Sequence, residues 1–190
     1  MRQKLLIFGL TILFIGVIIA ISIQSVESQN DMVERGKYLV DAVAACGYCH
    51  TPRAGAEYNM DMYLAGHPAT ESSPRYNFNM MRQSIFLLTS PKLSAFSGPF
   101  GTSFASNLTP DKETGLGEWT EKMFIDAIRT GHHQGTKDNR KIFPPMQTLT
   151  TKHYAQMSDT DLKAIWAYLK SIKPVKNEVS PILNRFGRPF

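Results

Sequence analysis

Apolar positions in this chain form one long unbroken run and three shorter periodic stretches. Residues 5–23 carry no charge and are interrupted only by Gly9, Thr11, Gly16 and Ser22. As a helix rising ~1.5 Å per residue, the run spans about 28 Å, close to a ~30 Å hydrocarbon core. Arg2 and Lys4 precede it, and Glu27 and Asp31 follow. That asymmetry keeps the N-terminus in the cytoplasm and exports the remainder. Ala20-Ile21-Ser22 passes as a small-residue cleavage site. The apolar part of a signal peptide runs only about 7–15 residues, however, so the length favours a retained anchor. Residues 24–30 are polar and read as a linker. Residues 1–30 are therefore expected to be anchor and linker, and 31–190 one exported domain.

Three helices are predicted in that domain. From Asp31 to Ala45, Val33, Gly36, Lys37, Val40 and Ala44 follow helical spacing, with Tyr38, Leu39 and Val43 adding apolar surface. Gly36 lowers helix propensity, which calls for a close neighbour, most simply another helix. A second helix starts at the Thr120 cap, buries Phe124, Ala127 and Ile128, and stops at Gly131. The third opens with Ser158-Asp159-Thr160-Asp161, a capping signal, and repeats apolar residues at Leu162, Ile165, Trp166 and Leu169 before Pro174. Its stripe should cross the first helix near Gly36 and Tyr38. Between the first two helices, residues 54–104 are rich in Pro, Gly, Ser, Met and aromatics with weak periodicity. A structureless stretch of that length is unusual in a compact domain. Only Met80–Leu88 suggests a short helix there, and the rest reads as an irregular insertion of filler. The fold class is mainly α, and the basic tail after Pro174 reads as extended and mobile.

The 190 residues carry a net charge of +5, without the dense basic stripe that nucleic-acid binding needs, so no nucleic-acid partner is expected. The two cysteines exclude a disulfide framework because both fall in Cys46-Gly47-Tyr48-Cys49-His50. This is C-x-x-C-H, the pattern for covalent haem attachment. Two thiols three positions apart at a helix end share one face, where each can form a thioether to a haem vinyl group. His50 then reaches the iron from the proximal side. A structural zinc site would need four ligands, and there is no second cysteine pair. A redox dithiol would want a βαβ setting and would not need His50. No dinucleotide fingerprint, paired-carboxylate motif or nucleophile signature is present.

Gly36-Lys37-Tyr38, Cys46–His50 and Thr51-Pro52-Arg53 resemble a class I c-type cytochrome. The similarity is greatest to cytochrome c domains associated with bacterial membrane-bound alcohol- and gluconate-type dehydrogenases. Two further blocks match: residues 105–120 (ASNLTPDKETGLGEWT), and Phe143-Pro144-Pro145-Met146 followed by the Ser158–Lys170 helix. The resemblance implies helices around one covalently bound haem c, held through Cys46 and Cys49, with residues 54–104 as a long insertion. It implies that Leu64-Ala65-Gly66-His67-Pro68 folds near the haem and that the loop from Asn107 to Gly117 packs near its propionates. Trp119, through its indole N–H, and Arg53, through its guanidinium fork, are candidate propionate partners.

By the same resemblance Met146 is the distal ligand, and Pro144 and Pro145 stiffen its approach. Met157, His153, His132, His133 and His67 compete for that position, and Met60, Met62, Met80 and Met81 are possible by chemistry alone. His132 and His133 lie on a polar loop expected to be exposed. With His50 and Met146 both on iron, no coordination site stays open, and thioether ligation raises the potential. The expected role is electron transfer, not substrate oxidation. The chain would be tethered to the bacterial inner membrane with its domain in the periplasm, between a dehydrogenase and a terminal oxidase or another cytochrome. A peroxidase-like haem enzyme or a haem sensor, each with a displaceable methionine, is the alternative.

Overall fold

The computed structural model describes residues 27–77, 79 and 87–190. The apolar run 5–23 and most of the short helix expected at Met80–Leu88 lie outside them, although Leu88 itself stands in a strand. Among the described residues no helix is long and apolar enough to cross a membrane.

Helix α1 covers residues 27–38, so residues 27–30, expected as linker, are helical. It does not run on to Ala45 as a regular helix. A π-helical turn, Leu39–Val43, follows, and Ala45 takes a left-handed conformation (φ 48°). Widening the last turn brings the Cys46 N–H to the Val40 carbonyl at 2.9 Å. The chain then enters the single-turn helix α2, Gly47–His50.

Helix α3 spans Glu121–Thr130. Thr120 Oγ1 accepts from Met123 N at its start, and Gly131 (φ 70°) closes it. These are the boundaries its sequence predicts. Helix α4, Met146–Thr148, continues through a π turn, Leu149–His153, and a 3₁₀ turn, Tyr154–Gln156. Helix α5, Asp159–Ser171, starts on the Ser158 cap. It buries Leu162, Ile165, Trp166 and Leu169, and Trp166 stacks on Phe124 of α3 at 5.6 Å.

Helices α1 and α5 meet backbone to backbone at Gly36. A Cβ there would lie 1.9 Å from the Ala164 carbonyl oxygen and 2.7 Å from Tyr168 Cβ. The glycine is the reason the crossing is so close. Tyr38, expected in the same contact, points outward instead, under the Arg35 guanidinium. Leu39 and Val40 fill the seam in its place.

The middle segment is not irregular filler. Strands β1 (Arg53–Ala54) and β2 (Glu57–Tyr58) form a small hairpin. Strands β3 (Leu88–Thr89), β4 (Ala95–Gly98) and β5 (Gly101–Phe104) form an antiparallel sheet, with Thr89 opposite Phe96 and Phe96 opposite Ser103. All of β4 is buried. Its sequence, Ala-Phe-Ser-Gly, shows no alternation because both faces are covered, so period-two patterning gave no signal. Its hydroxyls are satisfied internally: Ser97 Oγ and Thr102 Oγ1 are 2.5 Å apart, and Ser90 Oγ accepts from the amides of Ser94 and Ala95. The mainly α description is thus incomplete, since helices surround one side and an inserted sheet forms another.

The C-terminal segment, expected to be mobile, is tied down. Leu183 exchanges both backbone hydrogen bonds with Thr102 of β5, at 2.8 and 2.9 Å. The Val175 carbonyl accepts from Asn107 Nδ2 at 2.8 Å. A Cβ on Gly101 would sit 2.1 Å from the Leu183 carbonyl oxygen, so the tail lies directly on the sheet.

Candidate functional site

A cavity of about 1080 Å³ opens between these layers. Cys46, Cys49 and His50 line it from α2 and its N-terminal flank, and Phe96, Ser103 and Phe104 line it from the sheet. Leu116, Trp119, Phe124 and Ile128 contribute from α3 and the loop before it, and Met146 from α4.

His50 is buried, and its Nδ1 lies 2.7 Å from the Ser106 carbonyl oxygen. A carbonyl only accepts, so Nδ1 carries the proton and donates it, which leaves the Nε2 lone pair free for a metal. Burial also pushes the imidazole pKa below its ordinary value, which keeps the ring neutral, the form that ligates. The Gly66 N–H donates to the His50 carbonyl at 2.8 Å, which ties the Leu64–His67 loop to the histidine backbone.

Burial pushes the Cys46 thiol up to about 12, and burial also raises Cys49. This setting favours the neutral thiol, the opposite direction from the lowered thiol pKa that marks reactive dithiols. Among the described residues no group of three or more His, Cys, Asp or Glu side chains is arranged to hold a metal ion.

Met146 lines the cavity half-buried, packed against the hydrophobic core. Of its competitors, His67, His132, His153, Met157, Met60 and Met62 do not line it. Met80 and Met81 lie outside the described residues. His133 does line it and, contrary to expectation, is half-buried, edge-on to Trp119 at 5.0 Å between ring centres.

Trp119 and Asn107 both line the cavity. Asn107 uses its whole amide on the protein. Nδ2 donates to Thr114 Oγ1 and to the Val175 carbonyl, and Oδ1 accepts from the amide and hydroxyl of Thr109. Its effect is to fix the loop that carries the cavity wall. Arg53 is placed elsewhere. It does not line the cavity; its guanidinium lies over Tyr58 at 4.5 Å and Tyr48 at 5.6 Å and donates to the Ala56 carbonyl. The β1–β2 turn captures it, and those aromatic neighbours were not visible as a pair in sequence.

Two cavity residues went unassigned in the sequence. Arg140 lines the cavity at its exposed edge and, among the described residues, its guanidinium makes no ion pair; partial desolvation against the cavity wall pushes its pKa down. Its only sequence signal was membership of a basic loop. Tyr154 also lines the cavity and donates to the Ala44 carbonyl at 2.8 Å, bracing the backbone just before Cys46. Burial pushes its phenol up to about 12, so it stays a donor.

These residues fit a haem. The cavity is large, apolar and walled by aromatics. It carries two thiols in attachment spacing, an oriented imidazole, a thioether and a guanidinium that makes no ion pair among the described residues.

No family model matches the chain. Curated relatives do. A gluconate 2-dehydrogenase cytochrome c subunit of Pantoea cypripedii is 29% identical over 149 residues, 78% of this chain and 28% of that one. A fructose dehydrogenase cytochrome subunit of Gluconobacter japonicus is 30% identical over 168 residues, 85% of this chain and 27% of that one. This chain is a homologue of dehydrogenase cytochrome c subunits. A quinone-type alcohol dehydrogenase cytochrome c subunit of Gluconacetobacter polyoxogenes is 29% identical over 143 residues, 75% of this chain and 25% of that one. This homologue of cytochrome c subunits spans under a third of the length of each of the three relatives.

Proposed function

We propose that this chain is a one-electron carrier with a single haem c, attached through Cys46 and Cys49 and ligated by His50 and Met146. Bound there, the haem supplies a reversible Fe(II)/Fe(III) couple. The observation that carries the reading is the convergence of both cysteines, the Nδ1-anchored His50 and Met146 on one apolar cavity. The chain's two cysteines provide one attachment site.

The residues divide the work. Ser106 orients His50 and sets its tautomer. Leu116, Phe124, Ile128 and Phe104 exclude water from the cavity, which disfavours a charged ferric centre and raises the potential. Trp119 and Arg140 provide a donor and a cation for the haem carboxylates, a role Arg53 is not placed to take. His50 and Met146 would together hold the iron, and the group so held would supply electron transfer and leave no place on the metal for a substrate.

The names of the relatives support a dehydrogenase as electron donor, and a respiratory oxidase or second cytochrome is the corresponding acceptor. The run 5–23 tethers the chain to the inner membrane with the domain on the periplasmic side, where c-type haem is attached.

The test uses full-length protein produced in a bacterium that attaches haem c. The mass should exceed that of the polypeptide by one haem. The reduced protein should not bind carbon monoxide at neutral pH. Rapid carbon monoxide binding would favour a haem enzyme or sensor, and a protein without covalent haem would defeat the reading.

A further inference from the structure

The inserted sheet touches the ligand loop at two separate points. Ser103 of β5, almost fully buried, donates from Oγ to the Pro144 carbonyl at 2.6 Å. Phe100, in the β4–β5 turn, packs edge-on against Phe143 at 6.3 Å. Phe143 and Pro144 are the two residues that lead through Pro145 into Met146, and Gln147 N closes back on the Phe143 carbonyl at 3.0 Å. The sheet is itself held from behind by the Leu183–Thr102 pairing. Loop and sheet are distant in sequence, and the two hydroxyls of β5 are used differently: Thr102 satisfies Ser97, whereas Ser103, at the cavity wall, turns to the loop.

We infer that the sheet built from residues 88–104 is a bracket for Met146, and that Ser103 is a positioning residue which keeps the thioether on iron. The inference rests on Met146 being the distal ligand. A thioether is a weak ligand and cannot order its own loop. Fixing the loop beforehand removes the entropy that the bond would otherwise have to overcome, so the methionine stays bound against competing ligands. The sheet thereby biases the site toward electron carriage and away from exchange chemistry at iron.

The test is titration of the ferric holoprotein with imidazole, which must displace the methionine to bind. A lost buried hydrogen bond weighs about 1 kcal/mol, so Ser103→Ala should bind imidazole about fivefold more tightly than the parent. Ser103→Thr, which keeps the hydroxyl, should return toward the parent value. Phe100→Ala attacks the second contact and should tighten imidazole binding independently, so the inference does not hang on one variant folding. Ser97→Ala removes a hydroxyl from the same sheet that does not reach the loop, and it should match the parent. Parental imidazole affinity in Ser103→Ala and Phe100→Ala would overturn the inference, as would an equal change in Ser97→Ala. Absence of covalent haem, or of methionine ligation in the parent, would instead defeat the proposed function.

Discussion

His50 and Ser106 are joined by a 2.7 Å hydrogen bond from the imidazole Nδ1 to a backbone carbonyl. The acceptor cannot be mutated directly, but its position depends on Gly66. That glycine has φ 80°, and a Cβ on it would lie 2.5 Å from the Ala105 carbonyl oxygen and 2.7 Å from that of Ser106. Gly66→Ala must therefore strain its own backbone and push the Ala105–Ser106 segment away from the histidine. A stability loss of about 2 kcal/mol or more is expected in urea unfolding of the holoprotein. The reduction potential should also shift measurably as the imidazole loses its fixed orientation.

Gly36→Ala probes the frame and not the site. Its Cβ would meet the Ala164 carbonyl oxygen at 1.9 Å, a backbone atom that cannot swing aside. Separating α1 from α5 should cost about 3 kcal/mol or prevent folding. Thermal unfolding against the parent measures it, and an unchanged midpoint would mean the helices do not cross here.

Arg140→Gln tests the anion-holding edge. The other Lys, Arg, Asp or Glu residues lining the cavity are Lys141, Glu113 and Glu178, and Glu113 is already paired with Lys176 at 2.5 Å. Removing the guanidinium leaves the haem carboxylates less compensated, which favours ferric iron. The reduction potential should fall, with Arg140→Lys falling less. Arg53→Gln, whose side chain lies outside the cavity, should leave the potential unchanged. Spectroelectrochemical titration of the three variants distinguishes them.

His67 sets an acid limit on stability. It is fully buried, with Nδ1 2.9 Å from Ser94 Oγ and, among the described residues, no partner on Nε2. Burial holds its pKa below the ordinary imidazole value of ~6.5. Below that value the unfolded chain binds a proton that the native ring refuses. Stability is therefore full above about pH 6.5 and declines as the pH falls toward the native pKa, by up to ~1.4 kcal/mol per unit for this one group. His133 acts with the same sign, its pKa lowered by burial and by Arg140. His67→Gln should flatten the decline in urea midpoints measured between about pH 7.5 and about pH 5.

The helices were legible in the sequence where capping residues and apolar spacing agreed, as at Thr120–Gly131 and Ser158–Leu169. The demand that Gly36 made for a close helix was equally readable, because a missing side chain in a helix needs a local cause. The inserted sheet was not. Strand β4 is covered on both faces and built from small and hydroxyl residues, so neither alternation nor hydrophobicity marked it. At the site, Cys46, Cys49 and His50 follow from a local motif, and Met146 from its stiffened approach and the family resemblance. Arg53 was expected at the cavity and Arg140 was not singled out, because which arginine reaches it depends on tertiary contacts: Tyr48 and Tyr58 capture Arg53, and the His132–Lys141 bridge holds the loop that brings Arg140 to the cavity.

The most direct measurement is the optical spectrum of the ferric holoprotein beside that of Met146→Ala. Sulfur-to-iron charge transfer should give the parent a weak far-red band, and the variant should lose that band while keeping its covalent haem. A colourless parent with both thiols free, or a far-red band that survives removal of Met146, would contradict the assignment.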